Sequence, residues 1–435
     1  APPGLPYVAG MLGGMMSGAM MVPLCVDHPK AELEHVIADS NAKIVLVHPI
    51  LFHLLEEINC AKKKLLADVP PKEPVAYNWD YPKPSDNALM LYTSGTTGKP
   101  KGVVHTHASL AAQISCLTEA WEWTEEDSIL HFLPLHHTHG IINKLFCALW
   151  SGAHCEMLGK FDPKIVWEKI ASGKYSLFMA VPTVYSKMIS AWEEGDEATK
   201  EKYSEACSRF RLMVSGSAAL PVSVLEKWKS ISGHVLLERY GMTETGMVLS
   251  NSLHGERKAG FVGKPLPGME VRIADSAKED LEIMGELEVR GKNIFKEYWK
   301  KPQETKKSFT EDGWFRTGDM VAVVDGNYKI VGRLSTDIIK SGGYKISALE
   351  IEAVLLQHPV VNECCVLGLP DEIYGEKIAA ILVLKQDQQL TLEEIREWAK
   401  DKLANYKLPS LLKIQDSLPR NAMGKVVKNE AKNFF

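Results

Sequence analysis

The sequence predicts an α/β fold. A large N-terminal domain of α/β subdomains with parallel sheets, and a β-rich subdomain within it, precedes a small C-terminal α+β domain. Three observations predict this. The first 90 residues alternate amphipathic helix and short apolar strand, as in AELEHVIADS followed by KIVLV, a rhythm that suits parallel sheets covered by helices. From about Gly255 the chain turns to short strands separated by turn residues. After Arg333 helices and strands resume over a stretch long enough for a separate domain. The expected division is therefore 1–333 and 334–435.

Taken in order, residues 1–26 carry no charge, so a membrane span must be weighed. Pro6, Pro23 and five glycines oppose it, and the stretch reads better as a glycine-rich helix packed closely in a core. Leu33, Val36 and Ile37 share one face of the next helix. ALMLYT reads as a strand running into SGTTGKPKG, and RLMVSG and HVLLERYG repeat the strand-then-turn unit. FVGKPLPGMEVRI, GELEVRG and MVAVVDGNYKIVGR form the β-rich part. In the last domain SALEIEAVLLQHP is a helix, and ECCVLGLP and KIAAILVLK are strands. TLEEIREWAKDKL is a helix opened by Thr391, with Glu394 three residues on as its capping box. LLKIQDSLP is the final strand.

At 435 residues, 45% hydrophobic and 24% charged, the chain can bury a large core, which excludes a disordered or collagen-like protein. Fifty basic against 55 acidic residues leave a net charge of −5, so the cationic face that nucleic acid requires is not expected. The eight cysteines contain no C-x-x-C pair and read as buried thiols in a reducing compartment, with Cys364 and Cys365 inside a strand. The chain starts at Ala1, as if within a domain, so a native targeting segment is expected to be missing.

The densest chemical signal is YTSGTTGKPKG, residues 92–102. Glycines allow a tight turn that presents backbone N–H groups, while hydroxyls and two lysines add donors and positive charge. That suits a polyphosphate. It is not a Walker A loop, because Gly98-Lys99 is followed by Pro100.

This loop resembles the phosphate loop of the adenylate-forming superfamily, which includes acyl-CoA synthetases, adenylation domains and beetle luciferases. Further motifs follow in that family's order: LPLHHTHG (133–140), Tyr240-Gly241-Met242-Thr243-Glu244, Arg316-Thr317-Gly318-Asp319, Gly332-Arg333 with SGGYK, and PRNAMGK ending at Lys425. The resemblance covers nearly the whole chain and implies attack of a carboxylate on the α-phosphorus of ATP. Thr93, Ser94, Gly95, Thr96, Thr97, Gly98 and Lys99 would hold the β- and γ-phosphates. Glu244 and Thr97 would serve Mg²⁺, and Thr243 the α-phosphate. Tyr240 would stack on adenine beside Gly216, Ser217, Ala218 and Gly241. Asp319 and Arg333 would bind the ribose, and Lys425 would bridge the carboxylate and the nucleotide. The C-terminal domain would be a mobile lid, with Gly342, Gly343 and Lys345 lining the CoA tunnel and a hinge at Ser335 or elsewhere within 334–337.

Two features refine the substrate. His137 matches the family's pocket histidine, with His136 and His139 making the pocket polar. A metal site there is not expected, since adjacent histidines point apart. Arg239 stands directly before Y-G-x-T-E, where many relatives have a small residue. A guanidinium in an acyl pocket needs an anionic partner: either a second substrate carboxylate or a structural acid such as Glu238. The surrounding string resembles the malonyl-CoA synthetases, mitochondrial members included, in which this arginine binds the distal carboxylate. The resemblance thus implies an ATP-dependent malonate–CoA ligase, with methylmalonate as a further candidate substrate, that is a monomer or weak dimer, mitochondrial or otherwise cytoplasmic. The alternative substrate is a short- or medium-chain monocarboxylic acid. The family also has a further stretch before the glycine-rich helix, so the chain is expected to be a fragment.

Overall fold

A computed structural model describes residues 1–58, 63–65, 80–93, 100–279, 282–421 and 424–435. Among them seven strands form the main sheet. Their order is Lys264–Pro265, Gly246–Ser250, Leu237–Met242, Leu212–Gly216, Leu177–Ala180, Ser128–His131 and His154–Met157. The last five run parallel, Gly246–Ser250 runs antiparallel to them, and Lys264–Pro265 pairs antiparallel with Gly246–Ser250. Leu212–Gly216 is buried at every position, as a parallel strand covered on both faces must be. The covering helices bury Trp121, Trp167 and Trp228 completely. The helix Pro163–Ala171 starts where it does because Asp162 accepts the N–H groups of Lys164 and Ile165, and Pro163 lies just inside the helix start.

ALMLYT departs from the expected parallel arrangement. Asn87–Thr93 pairs antiparallel with Lys101–Thr106, and Glu297–Tyr298 adds to the other side. The strands on either side of residues 94–99 thus pair antiparallel, with Thr93 opposite Lys101. The β-rich part is a four-stranded antiparallel sheet of Met269–Glu279, Glu282–Gly291, Phe315–Val324 and Asn327–Arg333.

The glycine-rich start forms the helix Leu5–Met16, but it is not enclosed. Met11 and Met15 are buried, while Leu5, Leu12 and Met16 face outward. Small residues let the helix lie close on one side only. No helix among the described residues is long and apolar enough to cross a membrane.

The last part of the chain has its own core, with Ile339, Ile351, Leu355, Val366, Ala380 and Ile395 at its centre. The strands Val361–Asp371 and Gly375–Leu384 pair antiparallel, and Leu411–Ile414 joins the latter in parallel. Cys364 and Cys365 lie in the first of these, as the sequence implies. Thr391 and Glu394 form the expected capping box of Leu392–Ala399. Residues 334–337 are a turn linking the strand Asn327–Arg333 to Ile338–Ser341.

Candidate active site

Ligand sites in open α/β sheets form beyond the carboxyl ends of the parallel strands. Here Gly216 ends its strand, and Ser217 follows in the left-handed region at φ 71°. Gly216 leaves room for Arg239: a Cβ there would come within 2.7 Å of its guanidinium, which would have to shift. The neighbouring strand Leu237–Met242 carries Arg239 and Tyr240, with Gly216 in register with Arg239.

Arg239 is 3% exposed. Its Nη2 donates to Ser217 Oγ at 3.3 Å, and its buried Nε has no hydrogen-bond partner among the described residues. No carboxylate among the described residues forms an ion pair with it. Glu238 does not compensate it, since successive strand residues point to opposite faces. Glu238 instead accepts the N–H of Gly260 at 3.3 Å, and burial raises its carboxyl to about 8. Burial lowers Arg239 to about 10, so it keeps its charge at neutral pH.

LPLHHTHG brings His137 and His139 to the same place, while the His136 ring lies 6.0 Å from the rings of His28 and His137. His139 opens a π-helix, His139–Phe146, and its Nδ1 lies 3.5 Å from Ser217 Oγ. The helix is held by a lysine that the sequence did not flag. The strands Ser128–His131 and Leu177–Ala180 pair only at Ile129 and Leu177. Lys144, fully buried, bridges them by donating to the Leu130 and Met179 carbonyls at 2.7 and 3.0 Å. Burial, with help from nearby cations, lowers His137 to about 3 and pushes His139 well below its usual range. His136 falls to about 4, again chiefly through burial. All three are neutral at pH 7. No cluster of three potential metal ligands occurs among the described residues.

The nucleotide-binding candidates converge from the same strand and from segments far along the chain. Tyr240 donates its hydroxyl to Asp319, and Arg333 donates to the same carboxylate at 3.0 Å. Burial raises the Asp319 carboxyl, and Arg333 opposes that shift. Glu244 is buried, accepts the Tyr298 hydroxyl at 2.9 Å and forms no ion pair with a cation among the described residues. Its carboxyl is raised by burial. Lys425 reaches this cluster from the far end of the chain. It is exposed to solvent, and the protein packed around it together with Arg239 and Arg333 lowers its ammonium while Asp319 opposes. Three cations and two buried carboxylates thus share one cleft.

Ser94, Gly95, Thr96, Thr97, Gly98 and Lys99 lie outside the described residues; Thr93 is described as the strand end that leads into them. Lys101, the loop's second lysine, pairs with Glu304 at 2.9 Å and lies over the Tyr298 ring. It therefore braces the strand pair. Ala218 is exposed in the bend that follows the strand Leu212–Gly216, and Gly241 lies within the strand Leu237–Met242. Gly342 and Gly343, both at positive φ, make the exposed tip of a hairpin whose next strand carries Lys345. Ser335 is exposed in the 334–337 turn.

His105 and Tyr298 escaped sequence reasoning because their partners lie far along the chain. His105 is fully buried, with Nε2 2.8 Å from the Thr243 carbonyl and Nδ1 3.2 Å from Gln113 Nε2. A carbonyl needs a donor and an amide N–H an acceptor, so His105 is the neutral Nε2–H tautomer. Burial lowers it to about 4. The unfolded histidine titrates near 6.5. Between these values the unfolded chain binds a proton that the native state refuses, so stability falls as pH drops. The expected slope from His105 is about 1.4 kcal/mol per pH unit. Urea unfolding at pH 6 and pH 5 checks this: His105→Gln should show a shallower loss than wild type by close to one proton, and identical slopes would refute it.

The sequence and the fold are similar to those of known proteins. The family described as AMP-binding enzyme matches residues 1–299, and the AMP-binding enzyme C-terminal domain matches residues 350–425. The mitochondrial malonate–CoA ligase ACSF3 of Bos taurus is 45% identical, covering 98% of this chain and 78% of the relative. The ATP-bound crystal structure of MatB from Rhodopseudomonas palustris superposes with a TM-score of 0.89 at 31% identity, over 100% of this chain and 87% of that one. A malonyl-CoA ligase ternary product complex with methylmalonyl-CoA and AMP gives a TM-score of 0.69 at 38% identity, over 97% and 90%. The chain belongs to the AMP-binding enzyme family, the adenylate-forming enzymes that its ordered motifs resemble.

Proposed function

We propose that the chain is an ATP-dependent, AMP-forming malonate–CoA ligase. Malonate attacks the α-phosphorus of ATP to give malonyl-adenylate and pyrophosphate, and the CoA thiol then displaces AMP. The observation that carries the substrate is Arg239, a buried charged guanidinium with an unpartnered Nε and no acid beside it among the described residues. A second substrate carboxylate supplies the anion, and it can be held by two parallel N–H donors. His136 and His139, both neutral, offer polar contacts without competing charge. The 45% identity to a malonate–CoA ligase supports the same reading.

In the first step Lys425 and Arg333 offset charge on the approaching anions. Asp319 accepts from the ribose hydroxyls, Tyr240 lies along adenine and Thr243 contacts the α-phosphate, while Thr93 and the loop to Lys99 hold the outer phosphates. Glu244 fits a Mg²⁺ ligand: it is an oxygen donor whose buried charge has no cationic partner among the described residues, and Thr97 would join it. Mg²⁺ there would neutralise phosphate charge. Residues 1–333 form the catalytic body and 334–435 the lid. The higher likeness to the ATP-bound structure than to the product complex supports a lid set for adenylation, with Lys425 inside the cleft. The protein is a monomer or weak dimer and, by likeness to its mitochondrial relative, works in that compartment.

The deciding experiment measures pyrophosphate release with malonate, methylmalonate, acetate and octanoate. Malonate should give the highest kcat/KM; preference for acetate or octanoate would overturn the assignment. A second test addresses lid rotation. No backbone hydrogen bond from the Ser335 N–H occurs among the described residues, so proline costs none there, while it restricts Leu334 before it. Ser335→Pro should slow thioester formation and spare adenylation. Full-rate thioester formation would place the hinge elsewhere.

A further inference from the structure

Lys428, three residues beyond Lys425, stands where four segments meet. Its Nζ donates to Asp337 Oδ1 at 2.7 Å, to Glu352 Oε1 at 2.8 Å and to the Val366 carbonyl at 2.9 Å. An ammonium has three protons, and all are used. The three charged side chains are nearly enclosed, Lys428 at 13% and each acid at 15% exposure. Asp337 closes the 334–337 turn, Glu352 lies on the helix Ala348–Leu355 and Val366 on the strand Val361–Asp371. Glu352 also accepts the Val366 N–H at 2.8 Å, and the Asp337 carbonyl accepts the N–H of Ala348 at 2.7 Å. Asp337 is therefore fastened to the C-terminal unit.

The other end of the turn is fastened to the N-terminal body. Arg333 holds Asp319 through its guanidinium, and the Leu334 N–H donates to the Gly318 carbonyl at 2.9 Å. Between these anchors lie only Ser335 and Thr336. Four bonds cross from side to side among the described residues: Asp337 Oδ2 accepts the Arg333 N–H at 3.0 Å, the Arg333 carbonyl accepts the N–H groups of Asp337 at 2.8 Å and Thr336 at 3.2 Å, and Ser347 Oγ donates to the Val331 carbonyl. These are the contacts a rotation would break, while the Lys428 cluster travels intact.

We propose that Lys428 is a positioning residue for adenylation. By clamping Asp337 it fixes the end of the pivot to the segment carrying Lys425, so that Lys425 enters the cleft in one register. Without the ammonium, Asp337 and Glu352 would face each other as uncompensated buried carboxylates, and the turn would separate from the lid. This role rests on the two-step reaction proposed for the site.

The test is a double-mutant cycle with Lys425, read as acid-dependent pyrophosphate–ATP exchange per active site, with active sites counted by the adenylate burst. Lys428→Met should lower kcat by about tenfold or more through misplacement of the cation, with the KM values for acid and ATP within about twofold of wild type. In a Lys425→Ala background the same change should cost less than about twofold, because the group it positions is gone. Lys428→Arg should recover part of the rate. Asp337→Asn, which releases only the arm to the turn, should reproduce the pattern in smaller measure and replaces Lys428→Met in the cycle if that variant does not fold. Equal losses in both backgrounds, or full exchange in the folded variants, would overturn the proposal. The cycle is run with whichever acid of the panel wild type activates best, so a preference for another acid counts against malonate alone and leaves the role of Lys428 untouched.

Discussion

Lys425→Ala is expected to lower malonyl-adenylate formation by about 10²–10³-fold, the range seen when a preorganised charge stabiliser is removed from a reacting centre. The reason is electrostatic. Two anions must approach, and Lys425 is the cation delivered to the cleft by the lid, beside Arg239, Arg333 and Asp319. Burial and those arginines lower its affinity for a proton, so it is held at a cost that a bound anion relieves. Thioester formation from preformed malonyl-adenylate does not need that cation on an attacking carboxylate, so it should change only a few-fold. Stopped-flow measurement of each half-reaction separates the two. Equal losses in both would mean that Lys425 acts by holding the lid structure and not by touching the reacting groups.

Arg239→Leu is expected to reduce kcat/KM for malonate selectively. A charge-assisted hydrogen bond contributes about 1.5–3 kcal/mol, or roughly ten- to hundredfold. Leucine leaves an apolar wall where a dianion must sit. Butyrate gains nothing from the guanidinium and should lose little or improve. Arg239→Lys should recover only part, since an ammonium cannot fork to two oxygens. The structure sharpens this contrast. Among the described residues the Arg239 side chain has one hydrogen bond, to Ser217 at 3.3 Å, and no acid to stabilise it, so its removal breaks no internal ion pair there. Parallel declines for malonate and butyrate, with a lower melting temperature, would show a structural arginine and remove the main support for malonate.

Much of the molecule was legible from local pattern. The strands Leu212–Gly216 and Leu237–Met242, the antiparallel β-rich sheet and the Thr391 capping box follow from periodicity and turn chemistry, which operate over a few residues. The ordered motifs pointed to Arg239, Asp319, Arg333 and Lys425 before any geometry was known, and these side chains do share a cleft. The glycine-rich helix was legible as a helix, but its exposed face was not, because burial depends on what stands opposite. ALMLYT was legible as a strand, yet its antiparallel partner lies beyond the phosphate loop, and direction of pairing is not encoded in the strand's own residues.

By itself, then, the sequence determined which segments are helix or strand, which residue types are available for adenylate chemistry and in what order they occur. Tertiary structure alone decided which of them act together. It assigned Lys101 to Glu304 instead of leaving it to the loop, made Tyr298 the partner of Glu244, gave His105 the Thr243 carbonyl and joined Lys428 to Asp337 and Glu352. The physical reason is the same in each case. Hydrogen bonds and ion pairs act over a few ångströms of space, whereas these partners are separated by tens to hundreds of residues of chain, and only the packing of sheets and helices brings them within that range.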